Sequence, residues 1–481
     1  MYDVVVVGAG IVGCFIAHDL SKRDVKVALI DKESDVANGA TMANSAMVHS
    51  GHDPLPGTLK AKLNVRGNEM YEDVCNDLGV AFKRTSAFVV AISEEEEATL
   101  EGLYNQSVER NVPVAWLSGD EARALEPNLS PNVTKAIELP TTGIISPWEV
   151  SIALAEECVL NGVDLRLEEE VTSIEKKEHG FTVTTDSNTY ETKYVINAAG
   201  VYAAKIYEMV TENDEFHITP RKGEYFVLDR LKKPLVSRII YPVPSSAGKG
   251  VLVVPTVHGN ILLGPNSDFV DGLEENNNTK AALDYVRREV QKTVSNIPMD
   301  KAIRNFAGLR PTGSTHDFVI KESKKVEGFI NVACIESPGI ASAPAISEYV
   351  VNEVMAGKLP EGLKADYKKR TPIIDLKKVS KEEREELVKN NPAYGKIVCR
   401  CEQVTEGEIL DAIHRPVGAK TVKGVKKRVR PGMGRCQGGF CEPLVVDILA
   451  RELGISPMEV KLDSKKSNML IEEISYKGKK N

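Results

Sequence analysis

Several absences narrow the class of this chain before any motif is read. There is no apolar run of about 18 residues, so nothing reads as a membrane-spanning helix. There is no excess of positive charge: 61 Lys plus Arg face 69 Asp plus Glu, a net charge of −8, which speaks against a dedicated nucleic-acid binder. A basic leader with an apolar stretch is also missing. MYDVVVVGAG starts a strand at once, so the expected compartment is a reducing cytoplasm, with peripheral membrane association left open. Internal repeats are lacking. With 42% hydrophobic and 27% charged residues the composition is ordinary for a globular chain, which excludes disorder, collagen and a disulfide mini-scaffold. Taking about 150 residues per domain, the 481 residues suggest roughly three structural units.

Cysteine is sparse, at 8 residues, but unevenly placed. Cys14, Cys75, Cys158 and Cys334 are scattered singly and carry no motif, and buried cysteine is common. Cys399-Arg-Cys401 and Cys436-Gln-Gly-Gly-Phe-Cys441 form two tight pairs near the C-terminus. In a reducing compartment clustered cysteines more often hold metal or do redox chemistry than form disulfides. Four thiolates on two short loops suit either a [2Fe–2S] cluster or a tetrahedral zinc ion, and spacing alone leaves both open. Thr405 and Glu408 form a capping box that starts a helix just past the first pair.

At the other end, Tyr2–Val7 reads as a buried strand, Ile11–Ser21 as a helix and Val25–Ile30 as a second strand ending at Asp31. Between them Gly8-Ala9-Gly10-Ile11-Val12-Gly13 matches GxGxxG in the strand–turn–helix context the fingerprint requires. Gly8 permits the tight turn, Gly10 lets the backbone approach a pyrophosphate at the helix N-terminus, and Gly13 lets helix and strand pack closely. Asp31, about 20 residues on, can bond a ribose hydroxyl. The motif itself does not choose between NAD and FAD. The unit's place at the N-terminus and a distant Ala198-Ala199-Gly200 closing another strand favour FAD.

Residues 32–60 read as a long ordered loop containing Asn44-Ser45-Ala46-Met47-Val48-His49-Ser50-Gly51-His52. Helices are expected near 60–78, 94–110, 147–161, 279–295 and from a Pro-Gly turn to about Met355. Strands are expected on either side of His179-Gly180, at Tyr194–Asn197, over much of 214–265 and at Gly328–Ala333. Residues 358–396 are Lys/Glu-rich and read as a linker with one solvated helix near 380–389. A compact module follows from about 397 to 456, and the polar tail after 461 is expected to be loosely ordered.

GAGIVGCFIAHDLSKRDVKVALIDK resembles the FAD-binding start of the D-amino-acid-oxidase-like family. Thr41-Met42-Ala43 with NSAMVHSG, VINAAG, VVPTVHGNILLGP, AGLRP and ESPGIASAPAI resemble its hydroxy-acid members, over roughly residues 1–370. CRCEQVTEGEILDAIH and VRPGMGRCQGGFCEP resemble the bacterioferritin-associated-ferredoxin-like [2Fe–2S] domain over about 397–455.

The resemblance implies an α/β fold. An FAD-binding Rossmann-like domain (about 1–80, 145–215 and 305–357) would carry an inserted, mainly antiparallel α+β substrate domain (about 81–144 and 216–304), together filling 1–365. A linker at 366–396, a small, mainly helical [2Fe–2S] domain at 397–456 and a tail at 457–481 would follow. The implied cofactors are FAD and a [2Fe–2S] cluster held by Cys399, Cys401, Cys436 and Cys441. Gly8, Gly10, Ile11, Gly13, Asp31, Lys32, Thr41, Asn44, Ser45, Val171, Ala199, Gly200, Gly339, Ile340 and Ser342 would line the flavin. Ser337-Pro338-Gly339 would open a helix whose positive end faces the pyrimidine edge.

Oxidising an alcohol by hydride transfer needs a base, and a histidine suits that task. By resemblance the base is His49, with His52 a less secure substrate contact; the plainer reading of either is a histidine bonded within its loop. Arg310 is the leading anion anchor, since a guanidinium can grip a carboxylate or phosphate by two bonds; its plainer reading is a structural salt bridge. Arg221 and Lys222 are second candidates, and one of them is expected to face solvent because strand neighbours point opposite ways.

The implied substrate is a small anionic 2-hydroxy compound, sn-glycerol 3-phosphate first and L-2-hydroxyglutarate as the alternative, with hydride passing to flavin N5. A cluster that takes one electron at a time implies a dehydrogenase with a redox partner. Lys420, Lys423, Lys426, Lys427, Arg428 and Arg430, with no acid among residues 420–430, read either as a solvated face or as the docking site of an acidic partner. A non-catalytic electron-transfer subunit stands as the reading from a different class.

Overall fold

The structure of the protein, a computed structural model, describes residues 1–244 and 250–472. The chain divides into two compact units. One comprises Met1–Lys32 and Val36–Arg370; the other comprises Glu33–Asp35 and the chain from Thr371 onward.

The first unit is built on two large sheets. In the eight-stranded sheet, Tyr2–Val7 lies at the centre, with Val27–Ile30 and then Asp164–Arg166 parallel on one side and Thr189–Asn197 parallel on the other. Residues Val4 to Val7 are all buried, as expected for a parallel strand covered on both faces. The end of Thr189–Asn197 also pairs in parallel with Phe329–Ala333, while its beginning pairs with the hairpin of Val171–Lys177 and Gly180–Thr185. This is the α/β arrangement expected, and the first strand, turn and helix fall on Tyr2–Val7 and Ile11–Ser21.

The nine-stranded sheet is antiparallel apart from one pair, Ala87–Ala91 with Ile239–Pro242. Its longest partners are Ile218–Leu228 and Ala302–Gly313, whose register sets Arg221 opposite Arg310. The loop expected over 32–60 is largely irregular, but Met47–Val48 forms a short strand against Gly143–Ile145. That pairing holds the histidine loop at its midpoint.

The helix Leu59–Leu78 starts on Thr58, whose side chain accepts from the Ala61 amide, and ends on Gly79 at φ 64°. Gly67 lets it press against the helix Gly339–Tyr349: a Cβ there would stand 2.1 Å from the Ala341 carbonyl oxygen.

In the second unit, short strands Ile397–Cys399 and Val404–Thr405 precede the helices Glu406–His414, Val422–Val429 and Glu442–Leu453. The Thr405–Glu408 capping box is present. Ile409, Val425, Val445, Leu449 and Val460 form the core. The helix of the linker runs Lys381–Asn390 and buries none of its residues. The tail differs from expectation. The amides of Val422 and Lys423 donate to the carbonyls of Lys461 and Leu462, and Met469 N–H donates to Val460, so residues up to Met469 are tied to the module. Residues 473–481 lie outside the described residues. Among the described residues no helix is long and apolar enough to cross a membrane.

Candidate active site and cysteine centre

The glycine turn has the shape the fingerprint predicts. Gly8 sits at φ 106°, and a Cβ on it would fall 2.5 Å from the Ala198 carbonyl oxygen. A Cβ on Gly13 would fall 1.9 Å from the oxygen of Gly8. Gly10 is different: its Cβ would meet only the Thr41 hydroxyl, at 3.3 Å, which leaves the front of the turn open to a ligand. Thr41 Oγ1 accepts from the Ile11 amide at 2.9 Å, and Asp31 Oδ2 accepts from the Ala9 amide at 2.6 Å. Thus Asp31 holds the turn as well as standing at the end of its strand. The Asp31 carbonyl accepts from Glu169 N–H, which brings the start of the Val171 strand alongside. Lys32 lies over the Tyr202 ring and bonds its hydroxyl at 3.1 Å. Ala199 and Gly200 follow directly on Ala198, at the foot of the turn.

The helix Gly339–Tyr349 supplies a second wall. Its Ser342 side chain is fully buried and its hydroxyl has no protein hydrogen-bond partner, a feature that suits a polar ligand. Tyr71 donates to the Ile340 carbonyl at 2.5 Å. The open front at Gly10, the close-packed glycines and the orphaned Ser342 hydroxyl fit a bound dinucleotide.

The same Leu59–Leu78 helix fixes the histidine loop, because Asn64 and Asn68 both donate to the His49 carbonyl, at 2.8 and 2.9 Å. His49 is buried, and its Nδ1 lies 3.0 Å from the Tyr241 hydroxyl. Tyr241 also donates to Met47 Sδ at 3.4 Å. Burial, reinforced by the charge of Asp53, pushes the Tyr241 phenol far above its ordinary range, so it stays protonated. His52 packs edge-on to Tyr241 and bonds Ser50 through Nδ1. Tyr241 was not singled out from the sequence: it lies 192 positions from His49 in a plain apolar strand. Asn44 clamps its own loop, donating to Ala40 and Thr41 and accepting from Ala46 N–H. Ser45 bonds the hydroxyl of Tyr225, which stacks on Phe306.

The histidine loop meets the Arg310 strand at Gly308, where a Cβ would stand 2.0 Å from the Ala43 oxygen. Arg310 is held by backbone carbonyls, those of Arg221 and Lys222 at 3.3 Å and that of Asn266 at 2.9 Å. Its hydrogen-bond partners are neutral; burial, with Arg221 nearby, lowers its pKa from the usual value, against the opposing pull of Tyr225, Glu336 and Asp268. This is the electrostatic preparation an anion site needs. Arg221 and Lys222 do point to different partners, but neither stands out in solvent. Arg221 donates to Glu336 at 2.9 Å, a carboxylate shared with Lys60. Lys222 is buried, bonding the Asn277 carbonyl at 3.2 Å and lying 3.7 Å from Glu224. Glu336 is a further residue that the sequence did not flag. Burial alone would raise its pKa, but Lys60 and Arg221 bring it below the usual carboxylate value.

In the second unit the four clustered cysteines come together on two loops. Cys401 Sγ and Cys436 Sγ are 3.6 Å apart. Cys441 hydrogen-bonds to Cys399 and, with the amides of Gly432, Glu402 and Cys401, brings the Cys399 thiol down to about 6 against the effect of burial. Amides directed at sulfur suit an iron–sulfur centre. Among the described residues no three His, Cys, Asp or Glu side chains meet the geometry of a single-ion site. Cys14, Cys75, Cys158 and Cys334 are buried.

The basic run between the pairs is largely neutralised inside its own unit. Arg428 makes a bidentate pair with Asp35 at 2.7 and 3.0 Å, Lys427 reaches Asp35 at 3.0 Å, Arg430 pairs with Glu402, and Lys423 with Asp463. Lys420 remains exposed, while Lys423, Lys427, Arg428 and Arg430 are met by acids that come from elsewhere in the sequence.

Comparisons with known proteins agree with this geometry. The family described as FAD dependent oxidoreductase matches residues 3–353, and the BFD-like [2Fe-2S] binding domain matches residues 397–451. A glycerol 3-phosphate dehydrogenase of Caloramator mitchellensis is 48% identical over 475 residues, covering 98% of both chains. A glycerol 3-phosphate oxidase of Mycoplasma genitalium is 34% identical, over 73% of this chain and 93% of its own. Among solved structures, dithionite-reduced L-alpha-glycerophosphate oxidase of Mycoplasma pneumoniae with FAD bound superposes with a TM-score of 0.73 at 30% identity, over 77% of this chain and 98% of its own. The chain belongs to the FAD-dependent oxidoreductases of the D-amino-acid-oxidase-like family, carries a BFD-like [2Fe–2S] domain later in its sequence, and has FAD and a [2Fe–2S] cluster as its cofactors.

Proposed function

We propose that the protein is a dehydrogenase that oxidises sn-glycerol 3-phosphate to dihydroxyacetone phosphate, with electrons leaving through the [2Fe–2S] cluster to a separate acceptor in the cytoplasm. The observation that carries this reading is the 48% identity to a glycerol 3-phosphate dehydrogenase over both units together. Bound FAD supplies the two-electron acceptor, at N5, for the hydride lost from C2.

The chain's own residues supply the rest. Tyr241 has one proton, and Met47 Sδ takes it in a hydrogen bond. The tyrosine oxygen then accepts from His49 Nδ1–H, and in that tautomer Nε2 carries the lone pair that takes the C2 hydroxyl proton. Arg310 binds the phosphate dianion, since its carbonyl partners leave its charge to be met by substrate. Arg221 is the preferred helper: only partly buried and opposite Arg310 on the same strand pair, it can share itself between Glu336 and the phosphate. Gly8, Gly10, Gly13, Thr41 and Ser342 would cradle the flavin, and Cys399, Cys401, Cys436 and Cys441 would hold the cluster.

The test is anaerobic mixing of the oxidised holoenzyme with sn-glycerol 3-phosphate or L-2-hydroxyglutarate. Fast loss of flavin absorbance with the phosphate and little with the hydroxy acid is expected. Bleaching by L-2-hydroxyglutarate alone would transfer the assignment to that substrate, and bleaching by neither would overturn it.

A further inference from the structure

We propose that Glu336 is the positioning residue of the anion site: clamped by Lys60 and Thr312, it fixes the Arg221 guanidinium so that its Nε–H joins Arg310 on the substrate's phosphate. The inference rests on the proposed phosphate grip at Arg310 and Arg221, and it names what prepares the second arm of that grip.

Arg221 and Arg310 stand directly opposite each other on the paired strands Ile218–Leu228 and Ala302–Gly313. Thr312 lies two residues beyond Arg310, so all three side chains leave the sheet on one face. That face is turned to the histidine loop. Gly308 and Gly223 are also opposite each other on it; a Cβ on Gly308 would meet the Ala43 oxygen, and one on Gly223 would stand 2.8 Å from Arg310 Nη2. Arg221 gives one donor to Glu336 Oε2 at 2.9 Å, while its Nε–H is buried and has no partner in the protein. A buried guanidinium donor left unmatched is costly, and an anion held jointly with Arg310 removes that cost.

Glu336 is itself held at both oxygens. Thr312 Oγ1 donates to Oε2 at 2.8 Å, and Lys60 Nζ donates to Oε1 at 2.9 Å. Lys60 is anchored in turn: its amide donates to Asp317 at 3.0 Å, and its Nζ also donates to the His316 carbonyl at 3.1 Å. The Glu336 carbonyl accepts from Gly339 N–H at 2.6 Å, which ties its backbone to the start of the helix Gly339–Tyr349. Lys60 has a second effect. Its charge offsets that of the carboxylate, so Glu336 orients Arg221 while the charge of Arg221 is left for the anion. An arginine placed before the substrate arrives loses less freedom on binding it, and that saving appears as affinity.

The test separates positioning from charge. Lys60→Met with Glu336→Met removes one cation and one anion together, so the net charge is kept and only the clamp on Arg221 is lost. Calorimetry of the oxidised full-length holoprotein with inorganic phosphate reads the anion site without relying on turnover, and anaerobic bleaching by sn-glycerol 3-phosphate gives KM and the limiting rate. The double variant should weaken phosphate and raise KM by about tenfold, with the limiting rate unchanged. Thr312→Val, which leaves every charge in place, should do the same by about fivefold. In an Arg221→Met background neither change should have any further effect on phosphate affinity, because the clamp acts through Arg221. Flavin content and reduction by dithionite verify the fold of each variant. Parent-like phosphate affinity and KM in both variants would overturn the proposal. So would an undiminished effect in the Arg221→Met background, or a slower limiting rate at unchanged KM. A parent that binds no phosphate and is not bleached by glycerol 3-phosphate would instead remove the grip at Arg310 and Arg221, and the role of Glu336 with it.

Discussion

The two units of this chain build their centres in opposite ways. In the flavin unit, the parts that would meet the cofactor and substrate are drawn from the whole length of the unit: Gly8, Thr41, His49, Ala198, Arg310 and Ser342, placed by close backbone approaches and shared helices. In the cysteine unit the proposed ligand set is local, from Cys399 to Cys441, while the charges that stabilise the surrounding helix come from afar: Asp35 and Arg428 are 393 positions apart. A centre assembled from distant strands is tolerant of its immediate sequence and sensitive to packing. A centre assembled from adjacent loops is legible in sequence, but its electrostatic support is not.

The largest effect expected is a way to separate the two. Cys436→Ser should abolish the cluster, taking iron and sulfide from about two per chain to near none, while leaving substrate bleaching of the flavin at the parent rate. Iron and sulfide analysis beside anaerobic bleaching checks this; a parallel loss of bleaching would mean that the two centres are one folding system. One zinc per parent chain without sulfide would instead reject the cluster.

His49→Ala is the converse. Loss of a general base lowers the rate by about 10²–10⁴-fold, so flavin bleaching by substrate should fall into that range while dithionite still reduces both centres. Parent-like bleaching would remove His49 from the base role.

The third expectation concerns stability. Arg428→Met takes the bidentate guanidinium away from the buried Asp35 carboxylate, a break of a kind that typically costs about 3–5 kcal/mol. Burial pushes the Asp35 carboxyl up, but the charges of Arg428 and Lys427 overcome it and hold the group at about 2, below its unfolded value. A depressed carboxylate stabilises fully above its unfolded pKa of about 3.9 and loses that contribution as pH falls through the folded value. The variant should therefore show a lowered thermal midpoint of the cysteine unit at pH 7, and the difference from the parent should shrink on acidification towards pH 2. A constant difference across that range would assign the loss to packing instead of charge.

What was legible followed from local physics. The valine run, the glycine turn and the helix after it depend on neighbours in sequence, and they fall where the pattern places them. So do the capping box at Thr405 and the four cysteines. What was not legible depends on partners the pattern cannot show. Lys427 and Arg428 read as surface charge because Asp35 lies in a different part of the sequence, and Arg221 and Lys222 read as one inward and one outward because Glu336 and Glu224 could not be assigned to them. The tail reads as loose because its composition is polar, yet its backbone bonds to the start of the helix Val422–Val429. Tyr241 had no signal at all beyond the rule that a buried tyrosine hydroxyl finds a partner.

Tyr241→Phe gives the smallest and most discriminating expectation. The ring keeps its contacts with His49 and His52, so packing is retained and only the oxygen is lost. A single neutral hydrogen bond is worth about 1 kcal/mol, or about fivefold in rate. If the bond merely holds the loop, KM and the limiting rate of bleaching should both drift. If it sets the tautomer, the limiting rate should fall about fivefold with KM unchanged, because in the proposed mode the substrate's phosphate is held at Arg310 and not at the histidine. Nitrogen NMR of histidine-labelled protein reads the tautomer itself: the parent should carry the His49 proton on Nδ1, and the variant should shift it towards Nε2. A parent with the proton already on Nε2 would make Tyr241 the donor and leave Nε2 unable to act as the base, so this one measurement bears on the whole arrangement around His49.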